Sequence, residues 1–230
     1  MLGQGWELSR LVLGIMFGGG MSTRVKICGI TRHEDAQVAV QAGAAALGWV
    51  FVPGTPRYVS VEHAAAIVQE VPPMVTRVGL FVDADPAWIL QVIQEVGLDT
   101  IQLHGEESPE FCRQFRGKVK VMKAFRVRGP ETVERLSDYS TAADAFLLDA
   151  YVPGVAGGTG ATFDWTQAVA ARSVGRPIIL AGGLTPENVA EAVRRVQPFA
   201  VDVSSGVEAS PGKKDPAKVL RFLQEVDRSR

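Results

Sequence analysis

The sequence is poor in cysteine, histidine and unbalanced charge, and each shortage removes a class of protein. Two cysteines in 230 residues, Cys28 and Cys112, cannot build a disulfide framework, so a reducing cytoplasm is the expected compartment. The three histidines, His33, His63 and His104, stand far apart with no C-x-x-C or H-x-x-x-H partner, so neither a metal nor any other cofactor is expected. His33 and His63 fall in the first turns of expected helices, where solvation accounts for them. With 24 Lys+Arg against 25 Asp+Glu, the net charge of −1 gives no footprint for nucleic acid or an acidic membrane. No apolar run reaches the roughly 18 residues that cross a bilayer. A G-x-S-x-G elbow is missing, which argues against a serine hydrolase. A G-x-G-x-x-G after the first apolar run is missing too, which weakens the alternative of an open doubly wound sheet.

What is present is a large apolar fraction, 47% hydrophobic against 21% charged, enough for a sizeable core. From Arg24 onward, apolar and β-branched runs recur at Val25–Cys28, Leu47–Val52, Arg77–Val82, Thr100–Leu103, Val119–Phe125, Ala145–Leu148, Pro177–Ala181 and Ala200–Ser204. Most are continuous rather than alternating, as parallel strands covered by helices require. Helix starts lie between them. Thr31-Arg32-His33-Glu34 fits a capping box. Asp85-Pro86, Ser108-Pro109, Thr185-Pro186 and Asp215-Pro216 each place a cap residue before a first-turn proline. Segments after Ser60, Pro130 and Asp164 complete eight strand–helix units. With no linker between them, the expectation is α/β: a single (β/α)8 TIM barrel over residues 21–230. Residues 1–20 carry a short apolar stretch, but Glu7 precedes it and no A-x-A cleavage pattern follows. They are expected to be a leader before a natural start at Met21, or an extra segment packed on the barrel.

Barrel chemistry sits where strands end, at the C-terminal face. Cys28 closes the first strand and Asp149 follows Phe146-Leu147-Leu148, where an unpaired buried carboxylate is costly. Cys28 is also open to reading as small core filler, as is Cys112. His104 ends the fourth strand, in a barrel-lining or a functional role. Arg57 lies in the loop PGTPRYVS, either on the surface or placed to meet a ligand carboxylate. Asp202 lies in the eighth strand. The stretches PIILAGGLTPENV and AVDVSSGVE end in turns with little side chain, at Gly182-Gly183 and Ser204-Ser205-Gly206. Turns after strands 7 and 8 are the usual phosphate site of such barrels. Gly154–Gly160 reads as a flexible lid or a plain loop.

Taken in order, KICGIT, GWVFVPGTPRYVS, QLHG, LLDA, GGTGATFDW, LAGGLTPENV and DVSSGVE resemble phosphoribosylanthranilate isomerase of tryptophan biosynthesis, from about Arg24 to the C-terminus. The resemblance implies an Amadori rearrangement of N-(5-phosphoribosyl)anthranilate to the corresponding aminoketose. It implies Cys28 as general base and Asp149 as general acid, Arg57 on the anthranilate carboxylate and Asp202 near the amine. His104 matches a motif position, and the 182–183 and 204–206 turns would hold the phosphate. The partner implied is a small-molecule substrate, with the chain a monomer or a homodimer. The competing readings are another aldose–ketose isomerase of the phosphate-binding barrel group, or a non-catalytic sugar-phosphate-binding barrel. The histidine-pathway isomerase resembles a pair of aspartates where Cys28 stands first here, which weighs against it.

Side chains two apart on a strand share a face. If Cys28 points inward, so does Lys26, and closure of strand 8 on strand 1 brings Asp202 near. Lys26 is therefore expected to pair with Asp202 or another inward acid, and to help hold Cys28 as a thiolate.

Overall fold

The computed structural model describes residues 22–127, 129–150 and 165–229. Residues 1–20 and the Gly154–Gly160 stretch lie outside the described residues. Eight parallel strands close into a barrel in chain order: β1 (Arg24–Cys28), β2 (Ala46–Val50), β3 (Thr76–Phe81), β4 (Thr100–Leu103), β5 (Lys120–Val127), β6 (Ala145–Ala150), β7 (Ile178–Ala181) and β8 (Ala200–Val203). Closure pairs Lys26 with Asp202 in register across β1 and β8. The helices that follow the strands are α1 (His33–Gln41), α2 (Val61–Val68), α3 (Pro86–Val96), α4 (Pro109–Arg113), α5 (Pro130–Leu136), α6 (Thr166–Ala171), α7 (Val189–Val196) and α8 (Pro216–Arg228). A hairpin of β9 (Glu208–Ser210) and β10 (Lys213–Lys214) leads into α8.

The continuous apolar runs are explained by burial on both strand faces. Outward residues such as Ile27, Leu47, Trp49, Phe81, Leu103 and Phe146 join the helices in one large core. Inward residues form a smaller cluster of Met122, Ala124, Leu147, Ile179, Ala181 and Ala200. The inner face alternates with the outer, so Asp149, two beyond Leu147, and Asp202, two beyond Ala200, open toward the barrel interior.

The prolines mark helix starts as expected at Asp85, Ser108 and Asp215, whose side chains accept from first-turn N–H groups. Two expected starts differ. Thr31 does not cap α1: its hydroxyl donates to the Gly212 carbonyl, and Arg32 takes the cap position without a side-chain bond. After Thr185, a turn in which Asn188 N–H and Val189 N–H both reach the Thr185 carbonyl precedes the helix, so α7 opens at Val189. His33 and His63 are not simply solvated. His33 Nδ1 lies 3.0 Å from Glu70, His63 Nε2 lies 3.0 Å from the Thr31 carbonyl, and the rings meet edge-on at 5.9 Å.

Candidate active site

Cys28 occupies the top of β1, buried, with Lys26 one layer below it. Lys26 Nζ donates to Asp202 Oδ1 at 2.8 Å, and the pair is nearly closed to water. Burial pulls the Lys26 ammonium down, but Asp202 and Cys28 outweigh it and hold the group above its ordinary range. The same closeness is visible from β2. A Cβ on Gly48 would stand 3.0 Å from both Cys28 Sγ and Lys26 Nζ, so any side chain there would press on the thiol and the ammonium together.

The expected thiolate does not follow. Burial pushes the Cys28 thiol up, and although Lys26 pulls it down, burial wins. Cys28 therefore rests as a neutral thiol whose conjugate base is strong. The general reason is that an apolar wall penalises the anion itself, while one ammonium already committed to Asp202 returns only part of that penalty.

Across the barrel, Asp149 is partly exposed and lies 3.4 Å from His104 Nε2 through Oδ2. His104 in turn meets Gln102, whose amide nitrogen lies 3.0 Å from Nδ1. The unpaired carboxylate feared from the sequence thus has a partner, and His104, Gln102 and Asp149 form one chain of contacts along β4 and β6.

Arg57 is brought in from the loop after β2, and it does not arrive alone. Its Nε and Nη2 donate to the two oxygens of Glu208 at 2.8 and 2.7 Å. Glu208 also accepts from Lys214 Nζ at 3.0 Å, and Lys214 donates to the Ser204 carbonyl at 3.2 Å. Burial pushes Glu208 up, but Arg57 and Lys214 outweigh it and hold its carboxyl below the usual range. Burial lowers Lys214 despite Glu208. A guanidinium has five N–H donors. The fork to Glu208 occupies one edge and leaves the other terminal edge for a second carboxylate.

The turns after β7 and β8 touch each other. A Cβ on Gly206 would fall 2.0 Å from the Leu184 carbonyl, so the second turn lies directly against the first. Gly182 and Gly183 adopt φ of 84° and 63°, and Asn188 ties that turn by accepting from Thr185 N–H at 2.8 Å and donating to the Gly183 carbonyl at 2.9 Å. The Ser204 hydroxyl oxygen is buried with no partner among the described residues, a group in want of a ligand. Ser205 is exposed beside it.

Cys28, Asp202, Arg57 and Ser204 therefore gather on the β8–β1–β2 side, and His104 with Asp149 on the β4–β6 side. Sequence reasoning did not single out Glu208, Lys214, Gln102 or Asn188. Glu208, Gln102 and Asn188 stood inside the quoted motifs, and an acid near a mouth arginine was a usable signal. Lys214 gave none. Among the described residues, no group of three His, Cys, Asp or Glu side chains is placed to share a metal ion, and no helix is long and apolar enough to cross a membrane. Cys112 is buried in α4, as a core filler would be.

A family model described as N-(5'phosphoribosyl)anthranilate (PRA) isomerase matches residues 25–225. An N-(5'-phosphoribosyl)anthranilate isomerase of Geobacter sp. (strain M21) is 58% identical over 204 residues, which are 89% of this chain and 98% of the relative. A solved phosphoribosyl anthranilate isomerase in complex with reduced 1-(o-carboxyphenylamino)-1-deoxyribulose 5-phosphate is 45% identical with a TM-score of 0.81, over 90% of this chain and 99% of that one. Monomers generated from the dimeric enzyme of Thermotoga maritima are 44% identical with a TM-score of 0.81, over the same 90% and 99%.

Proposed function

The chain belongs to the N-(5'-phosphoribosyl)anthranilate isomerase family, isomerases of tryptophan biosynthesis, and we propose the following roles for its residues in that rearrangement. Asp149, as the acid, gives its proton to the furanose ring oxygen while the C1′–O bond breaks and the anilino nitrogen forms a C=N bond to C1′. The cationic imine acidifies C2′. Cys28, deprotonated, takes that proton, and the electron pair returns to nitrogen to give an enolamine. Loss of the C2′ hydroxyl proton and protonation at C1′ complete the ketose. A thiol whose basicity is raised by burial suits a carbon acid, because its thiolate is rare but strong.

The other residues bind. The Arg57 edge left free by Glu208 takes the anthranilate carboxylate, and Asp202 lies close to the amine. The turns at Gly182-Gly183 and Ser204-Ser205-Gly206 take the phosphate, with the unpartnered Ser204 hydroxyl as one donor. His104 contacts the substrate from beside Asp149. The observation that carries this reading is the placement of Cys28 and Asp149 on inward-facing positions at the C-terminal ends of β1 and β6, on one rim of a closed barrel. The product analogue held by the solved relative supports the substrate class. We place the catalytic domain at residues 21–230, working in the cytoplasm as a monomer or as a homodimer like the dimeric relative.

The test follows loss of phosphoribosylanthranilate fluorescence with the purified chain. C28S and D149N, made singly, are each expected to lower kcat by about 100-fold or more. Turnover near the parent level in both variants would sink the assignment of roles.

A further inference from the structure

We infer that Gln102 fixes the tautomer of His104 so that its Nε2–H faces Asp149, which makes Gln102 a positioning residue for the carboxyl that moves the first proton. The inference rests on Asp149 being the acid. Gln102 and His104 are two apart at the end of β4 and share the inner face. The Gln102 side chain is buried, and its amide nitrogen, a donor only, lies 3.0 Å from His104 Nδ1. Nδ1 must then present its lone pair, and the ring proton of the neutral imidazole sits on Nε2, 3.4 Å from Asp149 Oδ2.

The opposite orientation of the amide is the poorer one. The second amide atom of Gln102 is buried without a partner among the described residues. As a carbonyl it forgoes one acceptor bond. As an amino group it would strand two N–H donors, and orphaned buried donors are the rarer of the two in folded proteins. The Nε2–H tautomer is therefore the arrangement that leaves less unsatisfied.

The chemical consequence is a division of labour between the two oxygens of Asp149. Oδ2 is the oxygen that faces His104 Nε2, at 3.4 Å, so the acidic proton is carried by the other oxygen, Oδ1. In the ring-opening step the Oδ1–H bond breaks, an O–H bond forms on the sugar, the C1′–O bond breaks and nitrogen supplies the electrons. His104 keeps its proton throughout. Charge grows on the carboxylate as the proton leaves, and the Nε2–H contact to Oδ2 strengthens with it. That is stabilisation gained in the transition state rather than before it. The 3.4 Å separation is of the kind that tightens when substrate closes the site.

The experiment uses the full chain, labelled with 15N, and reads the ring nitrogens of His104 by long-range 1H–15N correlation. H104Q identifies its signals among those of the three histidines. The parent is expected to show a protonated Nε2 and a bare Nδ1. Q102E, whose carboxylate accepts from Nδ1–H, is expected to reverse the tautomer and lower kcat about 10- to 100-fold with KM within about threefold, as loss of an orienting partner does elsewhere. Q102L, which has no polar group, is expected to give mixed tautomers and a smaller loss. In a D149N background Q102E is expected to cost nothing more, because residues acting as one unit are not additive. A parent with protonated Nδ1, a tautomer unchanged in both Gln102 variants, or a reversed tautomer with an unchanged kcat overturns the inference. The parent measurement needs no variant to fold. Full activity of D149N alone would instead overturn the acid role of Asp149 and leave the tautomer result standing.

Discussion

Replacing Lys26 with methionine tests the layer beneath Cys28. The ammonium lies 2.8 Å from Asp202 Oδ1, and the two side chains are 3% and 10% exposed. The variant leaves a carboxylate walled off from water with its partner gone. Removing one member of a buried ion pair costs about 3–5 kcal/mol. With a urea m-value of about 3 kcal/mol per M, the unfolding midpoint falls by about 1–2 M. The pH dependence has a definite sign. Lys26 is held above its ordinary range in the folded chain, so its contribution is complete below the unfolded lysine value of about 10.4 and is lost only as pH rises through the higher folded value. The deficit of the variant is therefore flat across neutral pH. Lys26 is also the strongest influence opposing burial at Cys28. Without it the thiol rises further, and the alkaline limb of kcat/KM moves to higher pH. The double variant K26M/D202L removes both charges, and its stability returns to within about 1–2 kcal/mol of the parent, while the kinetic shift shrinks but keeps its direction, because Asp202 raises the thiol by less than Lys26 lowers it. Urea unfolding at neutral pH and a kcat/KM–pH profile are the measurements. A K26M loss below about 1 kcal/mol, the value of an exposed pair, or an unmoved alkaline limb refutes the reasoning.

Outside the barrel wall, Glu107 meets Lys123 Nζ at 3.1 Å with both side chains almost wholly buried, and also accepts from Asp83 N–H and Gly105 N–H. E107Q keeps the shape but leaves Lys123 short of a counter-charge, so a loss of about 3–5 kcal/mol is expected, lowering Tm by roughly 6–20 °C. Calorimetry showing a drop under about 2 °C would contradict it. Cys112 is pushed up by burial from an ordinary 9.0 to about 11. The fold therefore keeps its full stability from this thiol below the lower value and loses it as pH rises through the higher one. C112A is expected to flatten that alkaline loss in denaturant titrations at stepped pH. An unchanged slope would show that the thiol is not its source.

Much of the barrel was legible because its determinants are local. Runs such as Ala46–Val50 and Ile178–Ala181 must be strands covered on both faces, since they offer no polar side to water. The pairing of Lys26 with Asp202 followed from strand alternation and barrel closure, both of which are rules of chain geometry. Helix starts were legible only where the cap residue had no better partner: Ser108 caps its helix, whereas Thr31 turns to Gly212, which the chain order does not bring near.

By itself the sequence determined the strand–helix alternation, the shared face of Lys26 and Cys28 and the residue types at each strand end. Only the tertiary structure decided how those groups act on one another. Arg57 and Glu208 are 151 residues apart, and their fork exists because two loops meet above the barrel. Whether Cys28 rests as thiol or thiolate depends on the depth of the wall around it against the pull of one ammonium, and a linear chain carries no depth. Propensity and periodicity act over a few neighbouring residues, whereas desolvation and charge coupling act through space and come into being when the barrel closes.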